Sequence, residues 1–180
     1  MTMRYCEISS PAGRLLLAGD GRGLRRISFQ DGPRPMPIPR DWQRDEAPFG
    51  HAVAQLAAYF ARRLRRFDIT LAVDGTPFQR AVWSALADIP FGETVSYGEL
   101  TRRVGRPGAA RAVGVANGAN PIPIVIPCHR VIGADGKLTG YGGGLWRKRR
   151  LLDLERAVVH GSALGPLFAD ARETRIPGRV

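Results

Sequence analysis

A cysteine and a histidine are adjacent at positions 128 and 129, at the end of the apolar run of residues 124–127. A thiolate is a strong nucleophile, and a nearby base or positive charge is needed to form it from the thiol near neutral pH. A buried cysteine on its own is usually just a small apolar side chain. Because His129 accompanies Cys128, the residues favour nucleophilic chemistry at the thiol, with the imidazole as the base.

That Cys128 and His129 are adjacent in the sequence does not by itself bring their side chains together. In an extended strand, neighbouring side chains point to opposite faces, so either the chain turns at residues 127–128 or a bridging water or local bend connects the two groups. A histidine that acts as a base is usually oriented by a carboxylate. The residues alone leave that choice open among Asp135, Asp153 and Glu155.

A metal centre and a phosphate-binding loop are both disfavoured by spacing. The chain has two cysteines and three histidines, none of them paired as zinc ligands usually are. The glycine-rich residues 141–145 fit neither the Walker nor the dinucleotide fingerprint. We therefore predict no metal site and no phosphate-binding loop.

The chain of 180 residues carries a net charge of +11, most of it from arginine. Arginine suits bidentate contact with phosphate, so nucleic acid is the leading partner class. The alternative is a solvated basic surface in an arginine-rich chain. No apolar stretch resembles a signal peptide or a membrane span, so we expect a cytoplasmic protein with no membrane partner and reduced thiols.

The elements of the first half are short. Residues 4–9, 14–19 and 24–29 read as strands separated by turn residues, which predicts an antiparallel meander. The proline-rich residues 31–48 predict an irregular connection. A helix is predicted over 50–66, with four arginines near its end, and a further strand over 67–73. We place a domain boundary after residue 74, which gives an N-terminal domain of residues 1–74.

The second half begins with helix signals. Thr76 with Gln79 forms a capping box for a helix through residue 88, and Ser96 with Glu99 forms another for a helix ending near residue 104. A third helix is predicted over residues 109–117. The last two, joined by a glycine-containing turn, predict a helix-turn-helix.

The second helix of that motif is unusual for a reader of the major groove. It consists mainly of small residues, and Arg111 is its one long polar side chain. Small residues permit close approach of the backbone to a ligand. The alternative is a helix packed tightly in the core.

A final helix is predicted from Leu145 to about Glu155. We expect Leu145, Leu151 and Leu152 to face inward and residues 147–150, all cationic, to face outward. This helix closes a C-terminal domain of residues 75–156. The tail of residues 157–180 has weak periodicity, and we expect much of it to be poorly ordered.

Several motifs in the second half match a known family. They are residues 91–97, 108–114, 119–121, 127–131, 140–145 and 148–155. With these motifs in this order, residues 75–155 resemble the O6-alkylguanine-DNA alkyltransferases, also called methylated-DNA–protein-cysteine methyltransferases. The resemblance implies an α+β fold. Its N-terminal part would be ribonuclease-H-like, a small antiparallel sheet plus a helix, and its C-terminal part a mostly helical DNA-binding domain with a winged-helix-like helix-turn-helix.

The resemblance implies a role for each matched residue of the reaction. Cys128 would accept the alkyl group, His129 would deprotonate it through a water, and Glu155 would orient the imidazole. Asn120 would tie the helix-turn-helix to the active-site segment. Tyr97 would protonate the departing guanine and crowd the adjacent phosphate.

It also implies a pocket and a DNA surface. The pocket residues would be Val131, Tyr141, Gly142 and Lys148. Arg111 would take the place of an extruded nucleotide. The other minor-groove contacts would come from Ala109, Ala110, Ala112, Gly114 and Tyr97. Some relatives have serine where this chain has Gly142, so a hydroxyl contact to the lesion would be missing. Some relatives bind zinc in the N-terminal domain, but Cys6 has no evident partners in the sequence, so we predict no zinc.

The activity implied is DNA repair in a single turnover. An alkyl group, mainly methyl, would move from O6 of guanine, with O4 of thymine as a second target, to Cys128 after base flipping in duplex DNA. The protein would be a monomer, and it would bind DNA either as single molecules or cooperatively. The alternatives are a damage sensor or a sequence-reading regulator with little transfer activity.

Overall fold

The chain begins with a small sheet. A computed structural model describes residues 2–33 and 35–161. As predicted, the first three strands form an antiparallel meander, and they are β1 (Arg4–Ser10), β2 (Gly13–Asp20) and β3 (Gly23–Phe29). A two-residue strand, β4 (Gln43–Arg44), pairs in parallel with β1 and gives the order β3-β2-β1-β4. The segment predicted to be irregular over 31–48 therefore contributes one short edge strand.

The first helix, α1 (Gly50–Phe60), ends six residues before its predicted end. Arg62 has a φ of 62°, its N–H donates to the Tyr59 carbonyl at 2.9 Å, and the Arg63 N–H donates to the Ala58 carbonyl at 2.8 Å. This pair of bonds is a Schellman motif, in which a left-handed residue terminates the helix. The arginines that follow therefore lie in a loop, and their predicted place in the last helical turn is wrong.

Residues 67–73 run beside β3 without forming the predicted strand. Leu24 donates its N–H to the Thr70 carbonyl at 2.9 Å and accepts from the Ala72 N–H at 2.8 Å. The pairing is a single bridge between Leu24 and Leu71. It holds the connection between the two halves of the chain against the edge of the sheet.

Helix α2 (Pro77–Ala87) begins with the predicted capping box. The Gln79 N–H donates to Thr76 Oγ1 at 3.2 Å, and Gln79 Oε1 accepts from the Thr76 N–H at 2.9 Å. The helix buries Val82, Trp83 and Leu86. The Trp83 indole N–H donates to the carbonyl of Ala116 at 2.9 Å, which fixes α2 to the helix that follows the turn.

The helix-turn-helix consists of α3 (Tyr97–Arg103) and α4 (Ala110–Gly118). The N-cap Ser96 accepts from the Glu99 N–H at 3.0 Å, but the Glu99 carboxylate binds Arg102 and Arg103 instead of returning to Ser96. The second capping box is therefore only half formed.

The small residues of α4 serve both of the purposes considered above, close packing in the core on one face and an open surface on the other. It buries Val113, Ala116 and Asn117 against its neighbours, whereas Arg111 and the small side chains beside it are exposed. Val115 is 70% exposed. One face thus packs in the core, and the other presents a smooth surface with a single long cation.

The long helix α5 (Leu145–His160) corrects two predictions. Leu145 is 47% exposed, whereas Arg147 and Lys148 are fully buried. The buried positions recur at 147 and 148, 151 and 152, and 154 and 155, which share one helical face. The helix also runs through residue 160, so residues 157–160 are not part of a disordered tail. Residues 162–180 lie outside the described part of the chain.

The core connects the sheet to the second half of the chain. Leu15 and Leu17 of β2 point to one face of the sheet and share one cluster of buried side chains with Leu56 of α1, Trp83 of α2 and Cys128. The segment that carries Cys128 is thus anchored in the same core as the N-terminal sheet. Within residues 2–33 and 35–161, no helix has the length and apolar character needed to cross a membrane.

Candidate active site

Cys128 follows a buried and strained loop. Ile124, with no exposed surface, has a φ of 78°, which is rare for a β-branched residue and costs conformational energy. The Ile126 N–H donates to the Ile122 carbonyl at 2.9 Å and closes a turn around it. Such strain persists only where the surrounding structure imposes it. The backbone ahead of Cys128 is therefore held in one specific shape.

The chain then turns at the nucleophile. Pro127 has φ −82° and ψ 62°, and the Cys128 N–H donates to the Ile126 carbonyl at 2.8 Å, which is an inverse γ-turn. A 3₁₀ turn, Cys128–Arg130, follows. Of the alternatives that the sequence left open, the turn at residues 127–128 is the one observed.

Asn120 lies between the helix-turn-helix and this turn. Its Nδ2 donates to the Ile126 carbonyl at 2.7 Å, and its Oδ1 accepts from the Ile122 N–H at 3.0 Å. Burial raises the pKa of the Cys128 thiol, and hydrogen bonding from the Asn120 side chain partly opposes that rise. One amide therefore ties the end of α4 to the backbone and to the nucleophile.

Glu155 on α5 is the carboxylate that reaches His129. It is fully buried, and its Oε1 accepts from His129 Nε2 at 2.8 Å. It also accepts hydrogen bonds from Tyr59 Oη at 2.8 Å, the Gly92 N–H at 3.0 Å, and Arg130 Nε and Nη2 at 2.9 Å each. Tyr59 belongs to α1, so the first half of the chain contributes directly to the site.

The other two candidate carboxylates lie elsewhere. Asp135 is exposed and pairs with Lys137 at 3.1 Å. Asp153 lines a groove of about 670 Å³ along the outer face of α5, which contains none of the groups around Cys128. Among the three, only Glu155 contacts the imidazole.

The charges of this array are set by burial and by pairing. Burial by itself would raise the pKa of Glu155, but the hydrogen bonds from His129 and Arg130 and the positive charge of Arg130 hold that pKa well below its usual range. Burial lowers the pKa of His129, and this effect exceeds the opposing influence of Glu155. The imidazole is therefore neutral near pH 7, with its Nε2 proton donated to the carboxylate.

The other imidazole nitrogen is available as a base. His129 Nδ1 is buried and has no hydrogen-bond partner in the part of the chain that the structure describes. In the neutral tautomer fixed by Glu155, this nitrogen carries the lone pair. A buried acceptor without a partner is costly, so Nδ1 is suited to accept a proton during a reaction.

The thiol itself is protonated at rest. Cys128 is 5% exposed, and burial raises its pKa to about 11, although Asn120 and the positive charge of Lys148 oppose the shift. Burial lowers the pKa of Lys148 to about 8, and its Nζ donates to the Thr139 carbonyl at 2.7 Å. Deprotonation of Cys128 therefore requires a base, and Lys148 is the cation that favours the resulting thiolate.

Cys128 opens onto a cavity of about 240 Å³. Of the predicted pocket residues, Tyr141 and Gly142 line it, together with Asn117, which the sequence analysis did not single out. Val131 and Lys148 do not line it. Val131 is buried in the two-residue strand β6 (Val131–Ile132), which pairs in parallel with β5 (Val95–Ser96), a pairing that the sequence analysis did not predict.

One wall of the cavity comes from the N-terminal half. Residues 26–29 of β3 line it, and the Ile27 N–H donates to the Pro121 carbonyl at 2.9 Å, next to Asn120. The rings of Phe29 and Tyr141 make an edge contact at 6.0 Å. The sequence analysis missed this wall because β3 carries no motif and reaches the site only through the tertiary fold.

The predicted DNA-contacting residues lie on the helix-turn-helix. Tyr97 starts α3, and its ring is 3.8 Å from the position that a Cβ on Gly114 would occupy. Arg111 is exposed on α4 and makes no ion pair with any described residue. Ala110 and Ala112 flank it on the exposed side, and Ala109 precedes the helix. None of these residues lines the cavity, to which α4 contributes Asn117 and Gly118 at its other end.

No alternative metal chemistry is evident among the described residues, because no three His, Cys, Asp or Glu side chains there are placed to hold an ion. The fold and the site thus define a class of protein in which a helix-turn-helix is joined to a buried Cys-His-Glu array.

Comparisons with known proteins identify the family. Residues 3–73 match the family described as 6-O-methylguanine DNA methyltransferase, ribonuclease-like domain, and residues 77–157 match its DNA binding domain. A methylated-DNA–protein-cysteine methyltransferase of Methanosarcina acetivorans is 52% identical over 85% of this chain and 98% of its own length. The chain belongs to the methylated-DNA–protein-cysteine methyltransferase family, which confirms the resemblance found in the sequence.

Solved structures agree with this assignment. The crystal structure of a Mycobacterium tuberculosis O6-methylguanine methyltransferase superposes with a TM-score of 0.82 at 50% identity, over 94% of this chain and all of that one. A Mycobacterium tuberculosis OGT in complex with DNA superposes with a TM-score of 0.80 at 52% identity, over 88% and 94%. The predicted α+β fold, with a small N-terminal sheet and a helical C-terminal DNA-binding domain, is confirmed.

Proposed function

We propose that this protein repairs DNA by transferring an alkyl group, mainly methyl, from O6 of guanine to Sγ of its own Cys128. The observation that carries the proposal is the array itself, a buried thiol at a cavity with His129 and Glu155 behind it. Family membership supports the same activity. The acceptor is consumed, so each molecule acts once and needs no cofactor.

The residues around Cys128 support a defined order of steps. His129 Nδ1 takes the thiol proton, by way of a water, and Glu155 stabilises the imidazolium that forms. The thiolate attacks the alkyl carbon, a C–S bond forms, and the bond from that carbon to O6 breaks. The guanine leaves with a proton delivered to O6 by Tyr97. The product is a thioether, and no group near Cys128 can cleave it.

The proposed DNA surface suits binding without sequence preference. The substrate oxygen lies inside the duplex, so the nucleotide must leave the stack at a cost of a few kcal/mol. The smooth exposed face of α4 suits the minor groove, where Arg111 would fill the vacated position. The net charge of +11 favours phosphate contact of any sequence. We propose alkylated duplex DNA as the partner and the cytoplasm as the compartment.

The direct test is mass spectrometry of the protein after incubation with duplex DNA that contains O6-methylguanine. We expect one added methyl group on the peptide that holds Cys128, with a yield that saturates at one per protein molecule. Absence of an adduct at equimolar protein would contradict the proposal and favour a damage sensor or regulator. The same duplex without the lesion serves as the control.

Replacing Arg111 with alanine should separate base flipping from chemistry. Transfer from duplex DNA should slow by about tenfold or more, because the extruded nucleotide loses its replacement in the stack. Transfer from the free alkylated base should stay within about twofold of wild type, because no flipping is required there. Both rates are measured in single-turnover assays.

Arg106→Ala is the matched control, because it removes the same charge from an exposed position in the turn before α4. We expect Arg106→Ala to weaken binding to duplexes with and without the lesion by the same small factor. Equal losses of Arg111→Ala on duplex and free base would refute the flipping role.

A further inference from the structure

Arg147 is a fully buried arginine that lies between the two halves of the chain. Its Nε donates to the Ala12 carbonyl at 2.6 Å, its Nη1 to the Gly143 carbonyl at 2.6 Å, and its Nη2 to Asp31 Oδ1 at 2.5 Å. Ala12 lies in the turn between β1 and β2, and Asp31 lies in the turn after β3. Gly143 belongs to the glycine-rich loop that lines the cavity at Cys128.

Two aromatic rings complete the surroundings of this guanidinium. The carbon at its centre is 4.2 Å from the ring centroid of Trp146 and 4.9 Å from that of Phe29. Arginine stacks on aromatic faces while its edge donates hydrogen bonds. The side chain therefore touches β3, the turn after it, the β1–β2 turn and the pocket loop at once.

The position of this cation is unfavourable in other respects. Arg147 is in the first turn of α5, where the helix dipole opposes positive charge. Burial also lowers the pKa of Arg147, against the influence of Asp31. Replacement of buried ion pairs by apolar side chains is often neutral or stabilising. The multiple directed bonds of Arg147 thus point to a requirement for geometry, since such networks specify one arrangement.

What Arg147 fixes is the pocket loop, residues 140–144. A Cβ on Gly143 would stand 2.6 Å from the Phe29 ring, so the loop backbone is in close contact with β3. By contrast, Cβ atoms built on Gly140 and Gly142 would meet nothing within 4 Å. The loop is therefore positioned at Gly143 by contacts with the N-terminal half. Gly140 and Gly142, which also line the cavity, have free space beside them.

We propose that Arg147, together with Asp31, is a positioning residue that sets the shape of the substrate pocket from the N-terminal domain. The inference rests on the proposed function, since the pocket is the one that would receive the alkylated base. Arg147 acts through the Gly143 carbonyl and Phe29 and does not touch the reacting atoms. The N-terminal domain is then part of the substrate site as well as a scaffold.

The test compares single-turnover transfer by the wild-type protein and Arg147→Met, with duplex DNA that contains O6-methylguanine and with the free base O6-methylguanine. We expect the variant to be slower by about tenfold or more on both, because misplacement of a pocket wall disturbs the reacting geometry. Its affinity for unmodified duplex DNA should equal that of wild type, because α4 is not involved. Arg147→Lys should restore little, since a lysine cannot reach three acceptors with a planar fork.

A purely structural role predicts a different pattern. Leu56→Ala removes buried volume from α1, none of whose residues lines the cavity, and should lower the Tm while leaving the transfer rate within about twofold of wild type. If Arg147→Met does not fold, Asp31→Asn provides the test, because Asp31 is 45% exposed and asparagine keeps its size while removing the charge and one of the two oxygens that accept from Arg147 and from the Arg14 N–H. We expect several-fold slower transfer from Asp31→Asn, and no further loss when it is added to a folded Arg147→Met protein.

Two results would overturn the inference while leaving the proposed function intact. One is transfer by the wild type and Arg147→Met, or by the wild type and Asp31→Asn if the former does not fold, at rates within about twofold. The other is a loss of rate in Arg147→Met that is no greater than the loss in Leu56→Ala, when the two variants have the same Tm. Failure of the wild-type protein to transfer would instead overturn the proposed function and, with it, this inference.

Discussion

Replacing Cys128 with alanine should abolish alkyl transfer and leave DNA binding intact. Among the described residues, the Cys128 thiol is the one nucleophile that opens onto the cavity with a base behind it, so the residual rate should be undetectable. Alanine is smaller than cysteine and fits the buried site at a cost of about 1 kcal/mol. Arg111 and its exposed neighbours at the start of α4 do not line the cavity, so affinity for duplex DNA should not change. Transfer of labelled methyl and a duplex-binding titration measure the two properties.

Cys6 supplies the matched control for this experiment. It is the other free cysteine, buried in β1, where burial and the charge of Glu46 raise its pKa to about 11. It has no histidine beside it and lies outside the cavity. Cys6→Ala should therefore transfer at the wild-type rate. Transfer by Cys128→Ala, or its loss in Cys6→Ala, would contradict the assignment of the acceptor.

The chemistry of the site could be predicted from sequence where it depends on neighbours along the chain. Cys128 and His129 are adjacent, and the capping box at Thr76 and Gln79 is a local pattern with a defined geometry. The helix-turn-helix follows from two short periodic segments with a glycine-containing turn. Each of these features depends on backbone preferences that a few residues determine.

Which carboxylate contacts His129 could not be predicted from the residues alone. Asp135, Asp153 and Glu155 all follow His129, and chain distance does not distinguish them. The choice depends on how α5 packs against the turn at Cys128, which is a tertiary property. The family resemblance distinguishes Glu155 from the other two, because Glu155 lies in the matched motif of residues 148–155. The contact with His129 in the structure agrees with that choice.

The buried cations of α5 were predicted on the wrong face for a physical reason. Hydrophobic periodicity assumes that charge is exposed, and it placed Leu145 inside and Arg147 and Lys148 outside. The buried charges are compensated by the carbonyls of Ala12, Thr139 and Gly143 and by the Asp31 carboxylate. Ala12 and Asp31 are more than 100 residues away in the sequence, and the carbonyls of Thr139 and Gly143 carry no side-chain signal, so no local pattern could reveal these acceptors.

Replacing Glu155 with glutamine should damage both activity and stability. The carboxylate accepts from Tyr59, His129, Arg130 and Gly92, and a neutral amide cannot accept from all of them. Leaving the Arg130 charge buried without its partner costs about 3–5 kcal/mol. Transfer should slow by about 100-fold or more, because the imidazolium formed during deprotonation of Cys128 loses its counter-charge. Asp153→Asn is the control, because it makes the same charge change two residues away on α5 and should leave both properties near wild type.

The pH dependence of stability gives an independent measure of the same carboxylate. The pKa of Glu155 is lowered in the folded protein, so its ionised form stabilises the fold above the pKa of the unfolded chain, about 4.3. That stabilisation is lost as the pH falls below this value toward the lower folded pKa. The difference in unfolding free energy between wild type and Glu155→Gln should therefore be constant near neutral pH and shrink in acid. Thermal unfolding at a series of pH values measures it. A difference that stays constant down to pH values well below 4 would mean that Glu155 is not held ionised by His129 and Arg130.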